Sequence, residues 1–289
     1  MSTNLSSKTL FHFTSPDILR KILKNGFYAL YCREEILSMV FKKKQPSQYI
    51  PMVSFCNIPL TMIKDHCNLY GSYGIGLTKK WGRQNKINPV LYTYRNSTLI
   101  DVYNKSQDDY ETILRDYSRI LQPMIKKDDQ KRLVNTIDKM LRKNFVESLV
   151  FLKPLDGINK HGKPAFFYDE KEWRYIPLLN EKFKRIDNIM IAHDKLAKGQ
   201  VDFRYRNRTA TKIPIKGVTQ LNQRILTESI QFIESYKLRF ELDDIRFIIL
   251  KRDSEIPEMV DYLNRLYKKD QVRILTTKII TLQQLKEDF

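Results

Sequence analysis

The stretch Leu10-Phe-His-Phe-Thr-Ser-Pro-Asp-Ile-Leu-Arg-Lys-Ile-Leu-Lys-Asn-Gly26 decides how the chain begins to fold. Leu10 to Thr14 alternate as a short strand, with Phe11 and Phe13 on one side and His12 on the other. Ser15 then stands at a cap position, Pro16 fits the first helical position, and Asp17 complements the positive end of the helix dipole. Ile18, Leu19, Ile22 and Leu23 recur at helical spacing, and Gly26 offers the left-handed residue that stops the helix. A strand, a helix and a return are therefore expected within the first 28 residues.

Working outward, Tyr31 to Gln48 reads as a helical fragment and a loop, because it runs into Lys42-Lys-Lys and Gln-Pro-Ser. Ile50 to Phe55 reads as a strand and Thr61 to Leu69 as a short helix. The run Tyr70-Gly-Ser-Tyr-Gly-Ile-Gly-Leu-Thr78 holds three of the nine glycines, so a strand over 74–78 should have a glycine-lined face that something approaches closely. Trp81-Gly82 reads as a turn and Pro89 to Tyr94 as a strand. Residues 104–150 carry two successive amphipathic helical patterns, an insertion. Beyond it, strands are expected at Ala165 to Ile176, Ile189 to Ala192, Ile245 to Leu250 and Val272 to Ile280, and helices at Leu221 to Tyr236 and Pro257 to Tyr267. Short connections between alternating elements indicate an α/β or α+β body forming a single domain over 1–289.

Composition narrows the partners. The chain of 289 residues has 51 Lys plus Arg against 33 Asp plus Glu, a net charge of +18, with 42% hydrophobic residues, enough for a packed core. Such an excess speaks for a polyanionic partner. Ile50 to Ile63, broken by Pro51 and Pro59, is too short to span a bilayer, and residues 1–10 lack the pattern of a secretory signal, so a cytoplasmic protein without a membrane partner is expected. Three cysteines without paired spacing support neither a disulfide framework nor zinc, and the four histidines lack metal-site spacing. No phosphate loop, dinucleotide fingerprint or Gly-x-Ser-x-Gly elbow occurs.

Tyr168-Asp-Glu-Lys-Glu-Trp-Arg-Tyr175, read as a strand, puts Glu170, Glu172 and Arg174 on one face and Trp173 and Tyr175 on the other. Paired carboxylates of this kind can stabilise an oxocarbenium-like transition state as a glycosidic bond breaks; an exposed, solvated strand face is the plainer reading. Basic residues outnumber acids nine to four over 115–143, where Lys126 and Lys127 lie, and nine to three over 182–212. Asp202-Phe-Arg-Tyr-Arg-Asn-Arg-Thr209 alternates Arg204, Arg206 and Arg208 with Phe203 and Tyr205, a pattern that suits a phosphate backbone and stacked bases, or a guarded edge strand.

Two resemblances attach to these residues. Leu10 to Ser15 followed by Ile22-Leu-Lys-Asn-Gly-Phe27 resembles the opening of ADP-ribosyltransferase-fold proteins, with a weaker likeness to the DNA-targeting DarT toxins. Pro51-Met-Val-Ser-Phe-Cys-Asn-Ile-Pro-Leu60, His66, Tyr70 to Thr78, Trp81-Gly82, Pro89 to Tyr92 and Glu172 to Tyr175 together resemble the AbiGi family of bacterial abortive-infection proteins, with Asn57 where that family leads one to expect aspartate. The resemblance implies an α+β fold: an ADP-ribosyltransferase-like mixed sheet with a helical insertion near 104–150 and a basic C-terminal part near 182–289. It also implies a phage-defence enzyme using NAD+ as substrate and no metal. Glu172 and Glu170 would be catalytic, while His12, Thr14, Tyr70, Tyr73, His66 and Arg174 would hold NAD+. Glycines 71, 74 and 76 would admit the dinucleotide. Arg204, Arg206, Arg208, Lys126 and Lys127 would bind the acceptor, RNA or single-stranded DNA. The alternative implied by the same family is a non-catalytic antitoxin or nucleic-acid-binding component, with a cognate toxin or antitoxin as protein partner.

Overall fold

The computed structural model describes residues 7–35, 48–63, 67, 70–121, 128–129, 132–133, 136, 148–159, 162–177, 191–192, 217–228 and 237–287. The order of the opening is as expected: β1 (Thr9–Thr14), then α1 (Pro16–Asn25) with Pro16 in its first turn, then Gly26, which terminates it; Ser15 stands at the N-cap without a side-chain cap hydrogen bond, and Gly26 takes φ 78° and ψ −171°, a positive φ outside the left-handed helical region. The amide of Gly26 donates to Ile22 O, and Phe27 then pairs with Leu238 through two backbone hydrogen bonds. Leu19, Ile22 and Leu23 form the buried stripe of α1, while Ile18 stays exposed.

β1 lies in a nine-stranded mixed sheet. Its main path runs β13 (Ile279–Thr281), β12 (Ile245–Leu250), β4 (Tyr73–Thr78), β1, β3 (Gln48–Cys56), β10 (Glu172–Tyr175) and β5 (Asn88–Pro89). β2 (Leu30–Glu34) and β11 (Ile191–Ala192) also pair with β3. All pairings are antiparallel except β12 with β13. The fold is thus α+β with a mixed sheet.

Register assigns each side chain to a face, since residues directly opposite in a ladder point the same way. On the first face Leu10, Phe55, Ile75 and Leu77 pack against α1, α2 (Lys79–Gln84), α5 (Ile256–Leu266) and α6 (Lys269–Thr276), whose Trp81, Met259, Leu263, Val272 and Leu275 complete the main core. Preceding α5 in the chain are α3 (Thr98–Asp116) and α4 (Val218–Glu228). On the second face Phe11, Phe13 and Cys56 meet Ile58, Ile63 and Cys67 and the last helix, α7 (Leu282–Glu287). Further along that face, Ile50 and Met52 pack with Ile100 of α3 and Leu149, Val150 and Leu152. Leu152 opens β7 (Leu152–Pro154), which pairs in parallel with β6 (Leu91–Thr93); β8 (Gly157–Ile158) and β9 (Pro164–Ala165) form a separate hairpin.

Several expectations need correction. Leu30 to Glu34 is a strand, not a helix, because it completes the edge of β3; residues 36–47 lie outside the described ones. Trp81-Gly82 sits inside α2, capped by the Thr78 hydroxyl, which accepts from Trp81 N. The segment read as a last strand is α6 followed by the short β13. Ala165 to Ile176 is broken by a 3-10 turn at Phe167–Glu170 and by Lys171 at φ 43°, so within it only Ala165, the end of β9, and Glu172–Tyr175 are strand. Of the insertion, α3 continues into a π-helical turn at Tyr117–Leu121, and most of its second half lies outside the described residues, as do Lys126, Lys127, Arg204, Arg206 and Arg208.

The glycine-lined face of β4 exists, but its space is filled. A Cβ on Gly76 would stand 2.8 Å from both Phe11 Cε1 and Thr9 Cγ2, and one on Gly74 would stand 3.1 Å from Phe13 Cδ1. The two phenyl rings of β1 lie over the glycines. Gly71, at φ 124°, presses its Cα against Thr14 O, 2.2 Å from where a Cβ would be. Gly76→Ala should therefore lower stability by about 1–3 kcal/mol in urea unfolding, since Thr9 and Phe11 are both buried and have little room to yield.

Candidate functional site: a buried charge network

Glu172 and Arg174 alternate with Trp173 and Tyr175 along β10, and both charged side chains turn to the second face. There they meet Ser54, opposite Arg174 on β3. Glu172 Oε1 accepts from Ser54 Oγ at 2.8 Å and from Arg174 Nε at 2.7 Å. Its Oε2 accepts from Lys153 Nζ at 2.6 Å and from Arg174 Nη2 at 3.2 Å. Arg174, fully buried, also donates through Nη1 to Val150 O at 2.9 Å and pairs through Nη2 with Glu34 at 3.0 Å. Lys153 bridges onward to Glu170, which accepts from Tyr70 OH at 2.5 Å. Three carboxylates and two cations are thus joined on one face, between the Ile50 cluster and the Phe11 cluster.

The main chain holds the same centre. Glu172 N donates to Tyr92 Oη at 2.8 Å, and Val90 N donates to Glu172 O at 3.0 Å. Asn57 N donates to Lys171 O at 3.1 Å, while the buried Asn57 Oδ1 lacks a partner. A carboxylate at 57 would bring a full charge into that unpaired position, which burial penalises more heavily than an amide.

Electrostatics separates the carboxylates. Burial opposes ionisation of Glu172, but the Arg174 and Lys153 charges and their hydrogen bonds outweigh it and hold the carboxyl at about 2. Burial wins at Glu34, whose carboxyl is pushed up despite the Arg174 charge. Lys153 is the reverse case: burial disfavours its charge, yet Glu172 and Glu170 raise its pKa. An ionised carboxylate offers about four lone-pair positions, and four donors already occupy those of Glu172.

The expected cofactor residues divide between the two faces. His12 packs edge-on against Phe27 at 5.2 Å and tilted against Phe55 at 5.8 Å, in the main core. Its Nδ1 donates to Ser54 O at 2.8 Å, and burial lowers its pKa, so the ring is neutral with its proton on Nδ1. Tyr73, opposite Thr14, faces the same way; its hydroxyl donates to Glu255 Oε1 at 2.6 Å and is pushed up to about 12 by burial and that carboxylate. His12, Thr14 and Tyr73 are therefore on one side of the sheet, and Glu172, Glu170, Arg174 and Tyr70 on the other. His66 lies outside the described residues. Arg174, expected to hold NAD+, spends its Nε and Nη2 on Glu172. Glu170 and Glu172 do stand together, but through Lys153 and the turn before β10 and not through strand alternation.

Four participants escaped the sequence reading: Ser54, Lys153, Glu34 and Tyr92. Lys153 had a usable signal, being the lone charge in Ser148-Leu-Val-Phe-Leu-Lys-Pro-Leu155; Ser54 is likewise the polar residue inside an apolar strand. Glu34, in Arg33-Glu-Glu35, had none.

Replacing Arg174 by Met would leave Glu172 and Glu34 without their guanidinium, at a loss of about 3–5 kcal/mol measurable by chemical denaturation. Acid should act through Glu172: its folded value of about 2 lies below the ordinary 4.5, so its contribution is full above 4.5 and lost as pH falls toward 2. Glu172→Gln should flatten the stability curve across that window.

Comparison with known proteins agrees with the AbiGi resemblance. Residues 25–251 match the family model described as "Putative abortive phage resistance protein AbiGi, antitoxin". The abortive phage resistance protein AbiGi of Lactococcus lactis subsp. cremoris is 25% identical over 260 residues, covering 83% of this chain and 89% of that protein. No solved structure matches, so the ADP-ribosyltransferase-like part of the fold expectation has no structural counterpart. With its charge network and most of its sheet inside the matched span, the chain belongs to the AbiGi family of abortive phage resistance proteins.

Proposed function

We propose that this protein is the antitoxin-type component of an abortive phage-resistance system, a folded protein that restrains a cognate toxin by binding it and performs no group transfer. The family description supports this reading. The observation that carries it is the saturation of Glu172: both oxygens are occupied by Ser54, Lys153 and Arg174, and the sheet separates them from His12 and Tyr73. A carboxylate meant to bond a substrate hydroxyl while positive charge develops needs a free lone pair directed at the substrate. Here the network works as a clamp joining β2, β3, β7 and β10.

NAD+-dependent transfer through Glu172 and Glu170 makes the opposite prediction, and one genetic experiment separates the two. Expression of the chain alone should leave growth unchanged, whereas deleting its gene from a strain that carries the whole system should be tolerated only when a second gene of the system is lost. Purified protein should leave etheno-NAD+ intact with or without RNA or single-stranded DNA. Growth arrest by the chain alone, relieved by Glu170→Gln at unchanged melting temperature and accompanied by an ADP-ribose adduct, would overturn the antitoxin reading.

A further inference from the structure

Between Asp65 and Asp101 the sequence contains no acid at all, yet it holds Lys79, Lys80, Arg83, Lys86 and Arg95. The first four fall on α2 and the turn after it. Trp81 and Gly82 form the buried side of α2: Trp81 Nε1 donates to Arg239 O at 2.8 Å, and a Cβ on Gly82 would stand 2.4 Å from Leu10 Cδ1. That anchoring turns Lys80, Arg83 and Gln84 outward, with Lys86 exposed in the turn at φ 56°. Lys8 lies alongside, its carbonyl 3.4 Å from Lys79 N.

Among the described residues, Lys79, Lys80, Arg83 and Lys86 have no carboxylate partner. The Lys79 ammonium stands 5.7 Å from the ring centroid of half-buried Trp173. Burial and the like charge of Arg83 lower its pKa. These cations repel one another with nothing in the described chain to offset them.

We propose that α2, the turn through Asn88 and the Trp173 ring form a binding surface for the sugar–phosphate backbone of a single nucleic-acid strand. This surface is independent of the antitoxin reading. Its chemistry favours this occupant over a lipid surface or a protein. A membrane-binding face would add apolar side chains that enter the lipid, whereas residues 79–89 include no exposed large hydrophobic. Protein interfaces are depleted in Lys and built round an apolar centre, which this surface lacks. Lys and Arg in series, side-chain amides (Gln84, Asn88) and an aromatic ring are the groups that contact phosphates, sugars and stacked bases. The site is distinct from the charge network, which lies on the opposite face of the sheet.

The test uses the full-length protein and fluorescently labelled oligouridylate and oligothymidylate of about 20 nucleotides, titrated by anisotropy across a salt series. Lys80 and Arg83 are exposed, so Lys80→Ala/Arg83→Ala should keep the wild-type melting temperature. It should weaken binding roughly tenfold and make the slope of log affinity against log salt shallower by about 1.4, the share of two phosphate contacts on a single strand. Unlabelled oligonucleotide should also quench tryptophan emission in the wild type but not in Trp173→Phe, where Trp81 is the remaining indole. The proposal is overturned by absent binding, by absent quenching at saturation, or by a double variant with wild-type affinity and slope, which would place the contact elsewhere on the chain. Tighter binding to phosphatidylserine-containing vesicles than to either oligonucleotide, with the same loss in the variant, would overturn it in favour of a lipid surface.

Discussion

The burial of Arg174 constrains much of the rest of the structure. A guanidinium with no solvent exposure can be accommodated only if its charge is matched and its donors are used. Glu172 and Glu34 supply the counter-charge, and Val150 supplies a carbonyl. These partners come from widely separated parts of the chain. β2 must reach the edge of β3 to bring Glu34, the chain leaving the insertion must return beside the sheet to bring Val150 and Lys153, and β10 must insert next to β3 with Arg174 opposite Ser54. A one-residue slip of β10 would send Glu172 and Arg174 into the apolar face and Trp173 into the charged one. The ion pairs therefore specify register at least as much as they contribute stability.

The sheet divides the protein chemically. The first face carries an apolar core into which His12 is admitted only as a neutral ring, hydrogen-bonded to Ser54 O. The second face has apolar clusters at both ends and the charges between them. Ser54 spans the divide: its carbonyl serves His12 while its hydroxyl serves Glu172. A histidine, a tyrosine and a glutamate that look like one constellation along the sequence are thus distributed by strand alternation to opposite sides. Linear order carries no information about faces until the pairing partners are known.

That limit explains what could and could not be read from the residues. α1 was legible because its cap, apolar stripe and stop are all local, and α5 and β12 were legible for the same reason. Tyr31 to Glu34 reads as helical from its own residues because its strand state depends on β3, a partner about 14 to 20 residues away. Val272 to Ile280 was misread because β-branched and aliphatic residues there pack α6 onto the core, tertiary packing overriding local preference. The glycines of β4 correctly announced a close approach. What approaches is the pair of phenyl rings two strands' width of sequence away, in β1, and nothing in the run itself distinguishes a ring from a ligand. In the site, Glu170, Glu172 and Arg174 were visible as a cluster, but their being mutually neutralised depended on Lys153, brought in across the insertion.

Charge itself acquires two meanings in this molecule. The five charges of the buried network nearly cancel, and they are held by geometry so specific that each donor has a named acceptor. The cations of α2 are the opposite case: they lie on a helix fixed by Trp81 and Gly82 from beneath, project outward, and have no counter-charge among the described residues. Buried charges left unpaired would unfold the protein, whereas exposed ones left unpaired only raise the potential outside it. Among the described residues the interior charges are matched against one another, and the unmatched cations of α2 are left at the surface, where salt and polyanions can answer them.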